Sequence, residues 1–105
     1  YDDTLITNGM VNLNVISFLY HCINKNIKIV LITRHEGSLV EDMKSHRLSP
    51  KLFDEIISLN FDQEKCDYIN PKDAVLVDNS FEERKKVFEK LHIPVFDVDM
   101  IDSIC

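Results

Sequence analysis

Two short runs of aliphatic and β-branched residues limit most strongly what this chain can fold into. Residues 27–33 and 74–77 are almost unbroken apolar segments, and each is closed by a polar residue. A strand that is apolar on both faces is typical of a parallel sheet, because helices cover both sides of such a sheet. The sequence therefore predicts an α/β protein in which these two runs form buried strands.

Amphipathic segments separate the apolar runs. Helical spacing of apolar residues predicts helices at residues 10–25, 38–48, 63–69 and 81–91, and two further strands are predicted at residues 55–59 and 94–98. In the last helix, the spacing places Phe81, Val87, Phe88 and Leu91 on the inward face. Strands that alternate with helices at this spacing predict β/α crossovers and a doubly wound, Rossmann-like parallel sheet.

Length and composition limit the classes of protein that fit. With 105 residues, 45% of them hydrophobic, the chain suits one packed core, so residues 1–105 are predicted to form a single domain. A net charge of −6 argues against a nucleic-acid partner, and no run reaches the roughly 20 apolar residues of a membrane span. Cys22, Cys66 and Cys105 form no CxxC pair and indicate reduced thiols. We expect a cytoplasmic protein.

Polar residues stand where the predicted strands end. Thr33 ends one strand, Asp78 follows another, and Asp2 opens the chain ahead of the first helix, while Lys65 begins a fourth segment. In open parallel sheets, ligands bind beyond the carboxyl ends of the strands. Carboxylates, a hydroxyl and a lysine at one edge are the groups that a Mg²⁺–phosphate site requires.

Four segments are similar, in the same order, to the four motifs of the haloacid-dehalogenase-like (HAD) superfamily of phosphohydrolases. Tyr-Asp-Asp-Thr-Leu at residues 1–5 resembles the end of the first motif, D-x-D-x-T-L. Residues 29–33 resemble the second motif, an apolar strand that ends in Thr or Ser, and residues 65–69 resemble the third, which carries a Lys. Residues 75–84 resemble the acidic fourth motif in its D-D-S-F-x-E-R form. The resemblance covers nearly the whole chain.

The resemblance implies a Mg²⁺-dependent phosphatase that acts through an aspartyl-phosphate. Asp2 would protonate the leaving oxygen and then activate water. Thr33, Arg34 and Lys65 would bind the phosphoryl group, and Lys65 would also neutralise charge on the nucleophile.

The resemblance also implies a magnesium site made of oxygen ligands. Asp2 would give its backbone carbonyl and Asp78 its carboxylate. Asn79 stands where the family often has a second Asp, which removes one negative charge from the site. The nucleophilic Asp of the first motif belongs immediately before Tyr1, so we expect the first strand, central in the family's sheet, to precede Tyr1.

The implied fold is a three-layer α/β/α sandwich with a parallel sheet of about five strands and no cap domain. About 28 residues separate Thr4 from Thr33, and about 32 separate Thr33 from Lys65. A helix, a strand and their turns use up these lengths. The site should therefore be open, which suits a large phosphorylated substrate, or a partner domain or subunit that completes the site.

Structural roles remain open for several of these residues. Asp2 and Thr4 also fit an ordinary turn and helix cap, and Ser80 with Glu83 fits the capping-box pattern S-x-x-E. His35 follows the second motif and is a candidate for contact with the substrate.

Three functions remain open as well. The first is the phosphatase, and the second is a catalytically silent domain that binds phosphate or metal and serves a partner. The third is a phosphotransfer or regulatory module that works with a biosynthetic enzyme. An Asp before Tyr1 separates the first function from the second, whereas an apolar patch beside the open site would favour the third.

Overall fold

The chain alternates between strands and helices in the computed structural model, which describes residues 1–35 and 37–101. In these residues the strands are β1 (Ile6–Thr7), β2 (Met10–Val11), β3 (Val30–Thr33), β4 (Glu55–Ser58), β5 (Leu76–Val77) and β6 (Val95–Phe96). The α-helices are α1 (Leu13–Asn24), α2 (Leu39–Ser45) and α3 (Phe81–Leu91). Short 3-10 helices cover Pro50–Leu52, Lys65–Tyr68 and Val98–Met100. The predicted mixed α/β class is confirmed.

Each α-helix begins after a residue whose side chain caps the first turn. The Asn12 side chain accepts hydrogen bonds from two backbone N–H groups of α1, at 3.0 and 3.4 Å. Ser38 accepts from the Glu41 N–H at 3.2 Å, and Ser80 accepts from the Glu83 N–H at 3.3 Å. These oxygens pair with donors that have no partner within the helix, so they determine where each helix starts.

The first helix starts later than the periodicity of residues 10–25 predicts. β2 pairs with β1 in an antiparallel hairpin, and the turn residues Asn8 and Gly9 have φ values of 53° and 74°. Asn-Gly is the dipeptide that favours such a turn, because both positions need a positive φ. The hairpin therefore takes the first residues of the predicted helix, and α1 begins only after Asn12.

The parallel strands form two separate ladders. β3 pairs with β4, with Val30 opposite Glu55, and β5 pairs with β6, with Leu76 opposite Val95. Within residues 1–35 and 37–101, no ladder joins β3 to β5, so the predicted continuous sheet of about five strands is not present there. One continuous sheet would need a further strand hydrogen-bonded to both β3 and β5, and no described strand pairs with both of them.

The third helix has the predicted bounds but buries fewer aromatic rings than its periodicity predicts. Val87 is 1% exposed, whereas Phe81 and Phe88 are 69% and 52% exposed. Both rings pack against neighbouring polar side chains instead of the core. The Arg84 guanidinium lies 5.9 Å from the centre of the Phe81 ring, and the His92 ring lies 6.0 Å from that of Phe88. The prediction that the two rings face inward was wrong.

The buried apolar side chains form two clusters. The smaller cluster contains Cys66, Val87 and Ile93 and lies under α3. Val77 of β5 packs against the larger cluster, so the two ladders share part of one core. The larger cluster consists of Tyr1, Leu5, Ile6, Val15, Leu19, Leu39, Met43, Leu52, Phe53 and Ile101. Because the first residues of the chain belong to this core, the segment around Asp2 is held in a defined position.

Two expectations from composition can be compared with the structure. Cys22 and Cys66 are buried, in agreement with thiols that pack in the interior, and Cys105 lies outside the described residues. Over the described part of the chain, no helix has the length and apolar character needed to cross a membrane.

Met43 provides a direct test of the larger cluster, because its side chain is 0% exposed. We expect Met43→Ala to lower the free energy of unfolding by about 2–5 kcal/mol, since apolar burial is lost and a cavity remains. Met100 is 52% exposed, and Met100→Ala should change the free energy of unfolding by less than about 0.5 kcal/mol. Urea denaturation followed by circular dichroism measures both variants. Equal losses in the two variants would contradict the burial of Met43 in the larger cluster.

Candidate functional site

Two buried polar residues lie at the carboxyl ends of the parallel strands. Thr33 ends β3 and is 3% exposed, and Asp78 follows β5 and is 4% exposed. In the part of the chain that the structure describes, these are the two buried polar or charged residues. Burying such groups is unfavourable unless they are hydrogen-bonded, so their partners define the site.

Lys65 and Asp78 form an ion pair that is largely removed from solvent. Lys65 Nζ lies 2.6 Å from Asp78 Oδ2, and the two side chains are 14% and 6% exposed. Asp78 Oδ1 accepts a hydrogen bond from the Ser80 N–H at 2.9 Å, and the Asp78 carbonyl accepts one from Arg84 at 2.7 Å. The turn between β5 and α3 thus holds the carboxylate in one orientation.

The loop that follows β3 holds Asp2. Asp2 Oδ2 lies 2.6 Å from His35 Nδ1, and the His35 N–H donates to Thr33 Oγ1 at 3.2 Å. The Asp2 side chain is 55% exposed, so it reaches solvent although one of its oxygens is held. His35 therefore connects the first predicted motif to the second.

The start of the chain reaches the turn that carries Asp78, because Thr4 Oγ1 donates to Asn79 Oδ1 at 3.2 Å. The pKa of the Tyr1 amino group is lowered, first by burial and next by the positive charge of Lys65, while Asp2 and Asp78 act in the opposite direction. A residue placed before Tyr1 would be attached at this point.

The Tyr1 side chain anchors this segment in the core. Its hydroxyl donates to Asp42 Oδ2 at 2.7 Å, which ties the start of the chain to α2. Burial and the hydrogen bond to Asp42 both raise the pKa of the Tyr1 phenol, so it remains a neutral donor at physiological pH. The side chain thus fixes the position of Tyr1 against α2.

Arg34 is engaged by protein groups. Its guanidinium hydrogen-bonds the Glu83 carboxylate at the start of α3, and it donates to the Gln63 carbonyl at 2.6 Å. It also lies 3.9 Å from the Glu64 carboxylate. A phosphate would have to compete with these groups for the guanidinium. The role of Arg34 in phosphate binding stays a prediction, and its contacts give it a structural role in joining the loop after β3 to α3.

Asp78 and Asn79 supply oxygen atoms of the kind that Mg²⁺ prefers. Thr4 Oγ1 donates to Asn79 Oδ1 at 3.2 Å, so the first predicted motif also reaches the fourth. Both oxygens of the Asp78 carboxylate are already paired, one with Lys65 and one with Ser80. Within residues 1–35 and 37–101, no three His, Cys, Asp or Glu residues gather as a group able to hold a metal ion. The Asp78 and Asn79 oxygens match Mg²⁺ in type, and the magnesium site stays a prediction.

The structure adds two contacts that sequence reasoning did not find. His35 pairs with Asp2, and the Glu83 carboxylate pairs with Arg34. The capping-box pattern correctly predicted the contact between Ser80 and the Glu83 backbone, but it says nothing about the Glu83 carboxylate. The available signal for His35 was its place just after a strand end, where ligands bind in open sheets. Loop side chains follow no periodic pattern, so their partners cannot be deduced from spacing.

Comparison with known proteins gives no match to a family model, to a curated protein or to a solved structure. The contacts within the chain are therefore the observations that bear on its function.

Proposed function

We propose that this chain is the core of a Mg²⁺-dependent phosphohydrolase of the HAD type that acts through an aspartyl-phosphate. The observation that carries the proposal is the convergence of four distant segments. Asp2 contacts the loop after Thr33, Thr4 contacts Asn79 next to Asp78, and Lys65 pairs with Asp78. A hydroxyl, a lysine and two carboxylates at one edge form a suitable set for phosphoryl chemistry.

The proposed fold is a three-layer α/β/α sandwich without a cap, in which a strand before Tyr1 lies between β3 and β5. Both strands have an edge that pairs with no other strand in the described residues. The first residues of the chain reach both carboxyl ends, since Asp2 contacts the loop after β3 and Thr4 contacts Asn79 in the turn after β5. A strand leading to Tyr1 could pair with both edges and satisfy their backbone groups, giving a sheet of about five strands.

In the proposed reaction, a carboxylate that directly precedes Tyr1 attacks phosphorus as the bond to the leaving oxygen breaks. Asp2 gives a proton to the leaving oxygen. It then takes a proton from the water that attacks the aspartyl-phosphate, which releases phosphate and restores both carboxyl groups to their starting states. The exposure of Asp2 suits this role, because the leaving group and the water must both reach it.

Thr33 and Lys65 would stabilise the phosphoryl group. Thr33 Oγ1 accepts from the His35 N–H, so the hydroxyl proton remains available to donate to a phosphoryl oxygen. Lys65 Nζ lies beside Asp78, and its positive charge acts on the Tyr1 amino group, so it would balance the charge of a carboxylate attached before Tyr1. Mg²⁺ would supply further positive charge, with Asp78, Asn79, the Asp2 carbonyl and the preceding carboxylate as its ligands.

One observation favours a second function, in which the domain serves a partner such as a biosynthetic enzyme and has no activity of its own. The proposed phosphate and metal groups are already paired with protein groups, as Lys65 is with Asp78 and Arg34 is with Glu83. Phe81, the first residue of α3, is 69% exposed. Phosphatase turnover of an extended chain, in which roughly ten added residues forming a strand end in Asp directly before Tyr1, decides between the two functions.

The hydroxyl of Thr33 gives a sharper test of the proposed phosphate contact. In a chain active as phosphatase, we expect Thr33→Val to lower kcat by about 10²–10³-fold, because a donor to the phosphoryl group is lost. Thr33→Ser keeps the hydroxyl and should retain most of the activity. Thr7→Val is the matched control, since Thr7 is exposed in β1. Activity is measured by steady-state kinetics on samples whose fold is checked by circular dichroism. A fully active Thr33→Val variant would show that the Thr33 hydroxyl does not contribute to the reaction.

A further inference from the structure

We propose that His35 is a positioning residue whose imidazole fixes the carboxylate of Asp2. The inference rests on the proposed function, in which Asp2 serves as acid and base. The contact is short, with 2.6 Å between His35 Nδ1 and Asp2 Oδ2. In this assignment Nδ1 carries a proton and donates it to Oδ2, which can accept whether the Asp2 carboxyl is ionised or carries its proton on the other oxygen. The other carboxylate oxygen of Asp2 is then left to act on the substrate.

The pair differs from an ordinary surface ion pair. Surface pairs contribute little, because both side chains must give up conformational freedom to meet. Here the His35 side chain is only 14% exposed, whereas that of Asp2 is 55% exposed. One partner is thus already fixed by its surroundings before the other meets it, and the hydrogen bond restrains Asp2 alone.

Several contacts fix His35. Its backbone N–H donates to Thr33 Oγ1 at 3.2 Å, directly after the end of β3. Its ring packs edge-on against the Tyr1 ring, with centroids 5.3 Å apart and planes at 81°. Tyr1 is itself held by its hydrogen bond to Asp42 in α2. The imidazole is therefore supported by a strand end on one side and by an anchored aromatic ring on the other.

Asp2 needs such a restraint. Within the described residues, the contact with His35 is the one hydrogen bond that the Asp2 side chain makes. A general acid must hold its proton within hydrogen-bond reach of the leaving oxygen, and an exposed carboxylate with free rotation would spend much of its time elsewhere. Small displacements of a reacting group can lower a rate by about 10²-fold. The restraint on Asp2 should therefore affect kcat more than the binding of the substrate.

Two variants separate the hydrogen bond from the ring packing. His35→Phe keeps an aromatic ring against Tyr1 but cannot donate, and His35→Asn keeps an amide donor near the position of Nδ1 but lacks the ring. In the extended chain we expect His35→Phe to lower kcat by about 10–100-fold with KM nearly unchanged, and His35→Asn to stay within about threefold of the unsubstituted chain. His21→Phe, in α1, serves as a control for a His-to-Phe change elsewhere in the fold. Full activity of His35→Phe, or a loss confined to His35→Asn, would overturn the inference.

A second measurement does not depend on activity. The ¹⁵N-labelled extended chain should show a slowly exchanging Nδ1–H signal of His35, and Asp2→Ala should abolish this signal. A wild-type spectrum without the signal would overturn the inference whatever the kinetics show. If the signal is present and Asp2-dependent but the extended chain has no phosphatase activity, the positioning contact stands and the proposed function alone fails.

Discussion

A chain extended upstream by roughly ten residues, forming a strand that ends in Asp directly before Tyr1, should hydrolyse an aryl phosphate in the presence of Mg²⁺, and residues 1–105 alone should not. The proposed chemistry needs a carboxylate at that point. The positive charge of Lys65 acts on the Tyr1 amino group, so it would also act on a carboxylate attached there. The added strand would also pair with the open edges of β3 and β5, so the extension should raise stability as well as activity.

The matched control is the same extension with its last residue changed from Asp to Asn. Loss of the nucleophile should lower kcat by on the order of 10⁴–10⁶-fold, which is more than the electrostatic contributions of Thr33 and Lys65 could replace. The three proteins are compared by their Mg²⁺-dependent release of phosphate and by circular dichroism. Equal activity in all three would show that the first motif has been misplaced, together with the role proposed for Asp2. No activity in any folded form would favour the partner-serving domain.

Loss of either partner of the Lys65–Asp78 pair should destabilise the extended chain by about 3–5 kcal/mol, because the remaining charge stays buried without compensation. The side chains are 14% and 6% exposed, so solvent can screen the pair only slightly. Lys65→Met and Asp78→Asn are the single variants. The double variant Lys65→Met with Asp78→Asn should lose much less than the sum of the two single changes, since no unpaired charge remains.

The exposed pair Lys28–Glu55 offers a matched control. Its atoms are 3.7 Å apart, and its side chains are 70% and 52% exposed. Lys28→Met should change the free energy of unfolding by no more than about 1 kcal/mol. Urea denaturation measures all four variants. If Lys65→Met cost no more than Lys28→Met, the buried pair described here would not exist in solution, and the site built around it would lose its centre.

The sequence determined the kind and order of the three α-helices and of the four parallel strands, because these depend on local patterns. The apolar run that ends at Thr33 became β3, and α3 has the bounds predicted from spacing, with Ser80 as its cap. The pattern also placed Asp78 just after a strand, where the structure has it. Such signals lie within a few residues of one another, so they can be recognised before any tertiary contact is known.

Only the tertiary structure decided which segments meet. Spacing could not foretell that α1 would yield its first residues to a hairpin, or that Phe81 and Phe88 would be exposed, because burial depends on what packs against a helix face. The pairing of Asp2 with His35, across 33 positions of the sequence, is decided in the same way. The two side chains meet because the end of β3 and the buried Tyr1 ring hold His35 in place. Local sequence propensities do not predict contacts between residues so far apart in the chain.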